Sequence, residues 1–204
     1  MESRNPYAAS QVPLIASEEP APFSTDPETF EYGGFWRRVG SGLLDAIILI
    51  PLGVSLFVLL NYTRHAHLYY AFPSVAVYLF FYIWLVQRFG GTPGKRILSM
   101  RIAMADGSPV TTRAATLRYL PTQILQILSL TAMIQASFAL GTEFESLGFL
   151  EKLRAQQMSA PAWNNFVTWG TYAWLAASAL TLVANPRKRA IHDFIAGTIV
   201  LRTD

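Results

Sequence analysis

Residues 68–86 read LYYAFPSVAVYLFFYIWLV, without a single charge. As a helix rising 1.5 Å per residue, this stretch is about as long as the roughly 30 Å hydrocarbon core of a bilayer is thick. A helix apolar on every side finds its solvent in lipid rather than in water. Three further stretches have related character. Residues 166–184 (FVTWGTYAWLAASALTLVA) are uncharged, and 119–140 (YLPTQILQILSLTAMIQASFAL) are uncharged but hold three Gln. Residues 43–60 (LLDAIILIPLGVSLFVLL) are interrupted by Asp45, and the fifteen residues between it and Asn61 are too few to cross. That helix must therefore begin near Val39, which puts a carboxylate inside the membrane edge.

Composition agrees with this reading. The 204 residues are 52% hydrophobic and 14% charged, against about 25% charged in an average soluble chain. The absence of Cys excludes disulfides, thiolate nucleophiles and cysteine-based metal centres. The sequence predicts an all-α membrane protein with four transmembrane helices at about 39–60, 68–86, 119–140 and 166–184. With four spans, thirteen of the sixteen Lys and Arg fall on one side and only Arg64, Lys152 and Arg154 on the other. Basic residues concentrate in the cytosol, so both termini and the 87–118 loop are expected there. A three-span version, with 119–140 lying in the interface, would send the basic C-terminal cluster to the opposite side.

Residues 1–34 differ from the rest. They hold five of the twelve Pro, six acidic side chains and one basic one, and no long apolar run. They are expected to form a disordered, acidic, cytosolic tail, followed by a membrane domain over 35–204. No basic start with a run of roughly 7–15 apolar residues marks a cleaved signal, so insertion is expected to be driven internally.

Three segments carry more chemistry than a plain apolar bundle needs. The first is Gly33-Gly34-Phe35-Trp36-Arg37-Arg38 leading to Asp45. Arg38 and Asp45 share a helix face but lie about 10 Å apart along the axis, so Asp45 must meet another cation, meet water, or be protonated. The second is Gly90-Gly91-Thr92-Pro93-Gly94-Lys95-Arg96, followed by 97–104 with Arg101, and an Asp106-Gly107 turn. It lacks the spacing and the following Ser/Thr of a phosphate loop, and a basic loop held by anionic lipid headgroups explains it. The third is Arg189-Ala190-Ile191-His192-Asp193 with a strand-like 198–202, expected to pair with 97–104 in a small cytosolic sheet. His65 and His67 fall on the other side, so no shared metal set with His192 is predicted.

These motifs resemble the RDD family. Gly-Phe-Trp-Arg-Arg with Asp45, then Thr-Pro-Gly-Lys-Arg-Ile…Asp-Gly with a downstream Arg at 113 or 118, then Arg189-x-x-His192-Asp193, occur in the family's order over residues 33–203. Pro93 departs from it, many members carrying Leu. The name-giving Arg and two Asp map onto Arg38, Asp45 and Asp193, with Lys95, Arg96, Arg101, Arg189 and His192 supporting them. The resemblance implies a bacterial cytoplasmic-membrane protein, with transport proposed for the family and cation/proton exchange for some members. Gln123, Gln126 and Ser129 form a polar stripe on the third span that lines a path or joins helices by hydrogen bonds. The competing reading is a membrane scaffold or accessory subunit, binding a partner through the tail or the 141–165 loop. No nucleophile–base pair, cofactor motif or nucleic-acid groove is visible. The expected partners are anionic lipid, a second copy of the chain enclosing a path, or another protein.

Overall fold

The computed structural model describes residues 31–203, and they are mostly helical. Of the tail expected over residues 1–34, residues 1–30 lie outside the described residues. In chain order the elements are α1 (Phe35–Ile48), α2 (Ile50–Tyr62), α3 (Ala66–Leu79), a π turn (Phe80–Trp84) and α4 (Leu85–Phe89). There follow α5 (Pro93–Ile97), β1 (Met100–Met104), α6 (Thr112–Ala139), a 3-10 turn (Thr142–Ser146), α7 (Phe149–Ser159), α8 (Asn164–Ala184), α9 (Ile191–Ala196) and β2 (Thr198–Arg202).

Two described helices are long and apolar enough to cross a bilayer. They are Ala66–Phe89, 24 residues at mean hydropathy 1.6, and Asn164–Ala184, 21 residues at 1.3. The first expected span is not one straight helix. α1 and α2 meet at a 46° bend and qualify as a third span only together. The cause is Pro51 in the first turn of α2, which removes an N–H and clashes with the carbonyl four residues back. By length and composition the described helices thus give two spans, or three with the bent pair, and a fourth does not pass on those grounds.

The third expected span, 119–140, falls within α6, which is 28 residues long but more polar. It packs against α3, the π turn, α4, α7, α8 and α9. A central helix need be apolar only where it faces lipid. Leu120, Ile124, Ile127 and Leu128, at helical spacing, are exposed, whereas Tyr119 and Gln123 are buried against neighbours. Buried Ala114, Ala115, Ala132, Ala136 and Ser137 let the adjoining helices approach closely.

β1 and β2 pair antiparallel, Met100 opposite Arg202 and Met104 opposite Thr198. The sheet expected from 97–104 and 198–202 is therefore present, three residues shorter at its start. A lone pair of strands is marginal. This one rests on Val86 of α4 and Ala114 and Ala115 of α6, through Met100, Ile102 and Val200. Residues 31–33, assigned from the sequence to the tail, run along β2. The Gly33 N–H donates to Val200 O at 2.8 Å and the Arg202 N–H to Glu31 O at 2.8 Å.

The segment expected as a long 141–165 loop is instead folded. Phe144, 1% exposed, inserts between Leu60 and Ala66, with Leu56, Leu59, Leu140 and Leu147 around it. Phe144→Ala is expected to lower stability by about 3–5 kcal/mol. Thermal unfolding in detergent should show the loss, and limited proteolysis should cut first near α7.

Candidate functional site: two buried carboxylates and a basic cavity

Asp193 stands in the first turn of α9 and is 0% exposed. Its Oδ2 accepts from the Ala190 N–H at 2.9 Å, capping the helix. The same oxygen accepts from Arg38 Nη1 at 2.7 Å, and Oδ1 accepts from Arg118 Nη1 and from the Thr198 hydroxyl. Arg38 is itself fully engaged. Its Nε donates to Gly33 O at 3.0 Å and its Nη2 to Lys188 O. Lys188 presents that carbonyl from a left-handed backbone conformation (φ 49°), which a non-glycine residue holds only where its surroundings impose it. Gly197 (φ 66°) ends α9 and turns the chain straight into β2.

Burial alone would raise the Asp193 carboxyl, but the Arg118 and Arg38 guanidinium charges more than reverse it and hold it well below the usual carboxylate range. Arg118 Nη2 also donates to His192 Nε2 at 3.2 Å, which leaves the histidine's proton on Nδ1. Burial first, and then the Arg118 charge, push His192 down to about 3, with Asp193 opposing. Arg189 donates to Asp193 O at 3.1 Å and stacks over the Phe194 ring at 4.4 Å.

The second carboxylate forms a separate centre. Asp45, 2% exposed, accepts from the Thr92 hydroxyl at 2.6 Å and the Gly94 N–H at 2.7 Å. Lys95 Nζ lies 3.9 Å away and donates to the Thr92 hydroxyl at 3.4 Å. Of the options open in the sequence, a cation and neutral donors together meet Asp45. α5 packs so closely on α1 that a Cβ at Gly94 would run into Ser41 O and lie 2.7 Å from Asp45 Oδ1. Pro93 sits in the first turn of α5, where its missing N–H costs nothing. Burial, then the Arg118 charge, push Lys95 down to about 8, while Asp45 pulls the other way.

Arg38 and Asp193 thus meet directly, whereas Asp45 joins them only through the charge of Lys95. Of the two downstream arginines, Arg118 is the one that reaches Asp193. Arg96 and Arg101 line a different surface depression together with Arg88. Thr92, Gly94 and Thr198 are the site residues that charge spacing does not reveal. Gln123, Gln126 and Ser129 line a cavity of about 220 Å³ with His67. Gln126 also lines a second cavity of about 220 Å³, with Lys95, Arg118, His192 and Tyr119. Gln126 stands on both walls, and its Oε1 accepts from the Tyr119 hydroxyl at 2.9 Å. The π turn brings Tyr82 into this wall, stacked 4.8 Å from Tyr119. His65 and His67 are engaged by Ser137 and Gln156, and no group of three metal-ligating side chains occurs among the described residues.

A family model described as RDD family matches residues 32–197. An uncharacterised protein of Bacillus subtilis (strain 168), YckC, is 26% identical over 172 residues, 84% of this chain and 85% of that one. No solved structure matches the chain.

His192 gives the site a pH signature. Its folded value, about 3, lies below the unfolded 6.5, so on acidification the unfolded chain takes up that proton first. Stability is complete above about pH 6.5 and is lost progressively below it. Asp193 adds a loss of the same sign only below the ordinary carboxylate range. Melting temperature in detergent should fall between pH 6.5 and 4.5 in the wild type, and His192→Gln should flatten that part of the curve.

Proposed function

The chain belongs to the RDD family, and from that premise we propose that it is a four-span membrane transporter exchanging a monovalent cation for a proton at Asp45. The observation that carries this reading is the pairing of a buried carboxylate with a lysine of lowered proton affinity, 3.9 Å away. When Lys95 Nζ gives up its proton, Asp45 keeps its bonds from Thr92 and Gly94 but loses its counter-charge. A cation takes that place, and reprotonation of Lys95 expels it, one proton for one cation. Intramembrane ionisable groups commonly serve such relays. The two cavities that share Gln126 offer a polar route along α6, and a homo-oligomer would close its lipid-facing side.

The exchange is tested in liposomes holding a pH-sensitive dye and given Na⁺, Li⁺ or K⁺ pulses. Wild type should move protons, Asp45→Glu should retain part of the activity, and Asp45→Asn and Lys95→Gln should lose it. A flat trace from folded wild-type protein overturns exchange. It leaves a second reading, a non-enzymatic scaffold in which both carboxylates only lock helices together. The full engagement of Asp193 by Arg38 and Arg118 favours that alternative. Its partner surface would be the tail or the folded 141–165 segment, which exposes Glu143, Glu145 and Glu151.

The proposed topology puts both termini and the β1–β2 sheet in the cytosol of a bacterial cell, with α6 crossing the cytoplasmic membrane. Because the chain has no Cys, single cysteines report cleanly. Ser108→Cys should react with an impermeant maleimide only from the inside, and Ser146→Cys only from the outside. The same side for both would exclude a crossing α6.

A further inference from the structure

The buried charges around Lys95 do not cancel. Arg38, Arg118 and Lys95 are cationic and Asp45 and Asp193 anionic, while His192 is held neutral. One positive charge is left over in a region where uncompensated charge is costly. By partner count the surplus lies with the two guanidinium groups that share Asp193, while Lys95 is only loosely matched by Asp45. Arg38 and Arg118 each contact Asp193 directly, whereas the ammonium of Lys95, its side chain 16% exposed, has one long bond to Thr92 and a 3.9 Å approach to Asp45.

The surplus faces a cavity of suitable chemistry. Among the described residues lining this 220 Å³ space are Lys95, Arg118, His192, Tyr119, Thr122 and Gln126, and no carboxylate. Asp45 and Asp193 stand behind the cations rather than on the wall. A water molecule takes about 30 Å³ in the liquid, so the space admits a group the size of a tetrahedral oxyanion. Hydroxyl and amide groups on the same wall offer donors to its remaining oxygens. We propose that this cavity binds an anionic phosphate group, either free phosphate or the phosphodiester of an anionic lipid, with Lys95 and Arg118 as its charged ligands. The site goes beyond the exchange reading and stands whether or not Asp45 exchanges cations.

The test uses the full chain purified in detergent, with melting temperature followed against inorganic phosphate, phosphatidylglycerol and, as control, phosphatidylcholine. Saturable stabilisation by both phosphate and phosphatidylglycerol identifies a site open to the small anion. Stabilisation by phosphatidylglycerol alone identifies a headgroup site. In either case Lys95→Gln should raise the half-saturating concentration at least fivefold, and Lys95→Arg should largely restore it. Should Lys95→Gln not fold, Thr122→Leu, which fills the cavity while keeping both cations, must give the same weakening. No stabilisation beyond that of phosphatidylcholine, or half-saturation unchanged in the folded variants, overturns the proposal.

Discussion

A carboxylate with no access to solvent, held between two guanidinium groups from helices far away in sequence, sets the arrangement at one end of this molecule. Asp193 joins α1 through Arg38 and α6 through Arg118, and caps its own helix with the oxygen that Arg38 also uses. Because α9 turns directly into β2 at Gly197, fixing Asp193 also fixes the sheet. A buried ion pair of this sort contributes little net stability, since desolvation offsets most of the attraction. Removing one partner is costly because the other charge is left behind. The interaction ties α1, α6 and α9 together at one point while adding little net stability.

The main features of the site were legible in the sequence because they are charged and sit at the edges of apolar runs. Arg38, Asp45 and Asp193 are costly residues where they stand, and costly residues in apolar surroundings draw attention. The partners of Asp45 were not legible. A backbone N–H carries no residue identity, and Thr92 looks like any threonine in a loop. Gly94 is required not for its own conformation but because α1 leaves no room for a Cβ. The choice of Arg118 over Arg113 likewise depends on where α9 docks, a tertiary fact.

The departures in the fold have equally local causes. Pro51 was present in a stretch read as one helix, where total hydropathy outweighed a residue that breaks hydrogen bonding. The π turn at Phe80–Trp84 has no polar marker, yet it moves Tyr82 against Tyr119. The polar content of α6 reflects its central position, with polar side chains facing neighbours and Leu120, Ile124, Ile127 and Leu128 facing outward. The 141–165 segment reads as a loop because it lacks an apolar run long enough to cross a bilayer. One of its apolar residues, Phe144, organises it by filling the space beside Leu60 and Ala66.

The separation of these partners along the chain has a consequence for biogenesis. Arg38 precedes Asp193 by 155 residues and Arg118 precedes it by 75. A ribosome adding about 5–20 residues per second releases both arginines into the growing bundle well before their shared counter-charge exists. β2, which holds residues 31–33 and β1 in place, emerges later still. Helix insertion can thus proceed from the N-terminus, but the charged end of the bundle closes only once α9 and β2 have followed. A chain interrupted before Asp193 would leave Arg38 and Arg118 without the carboxylate they share.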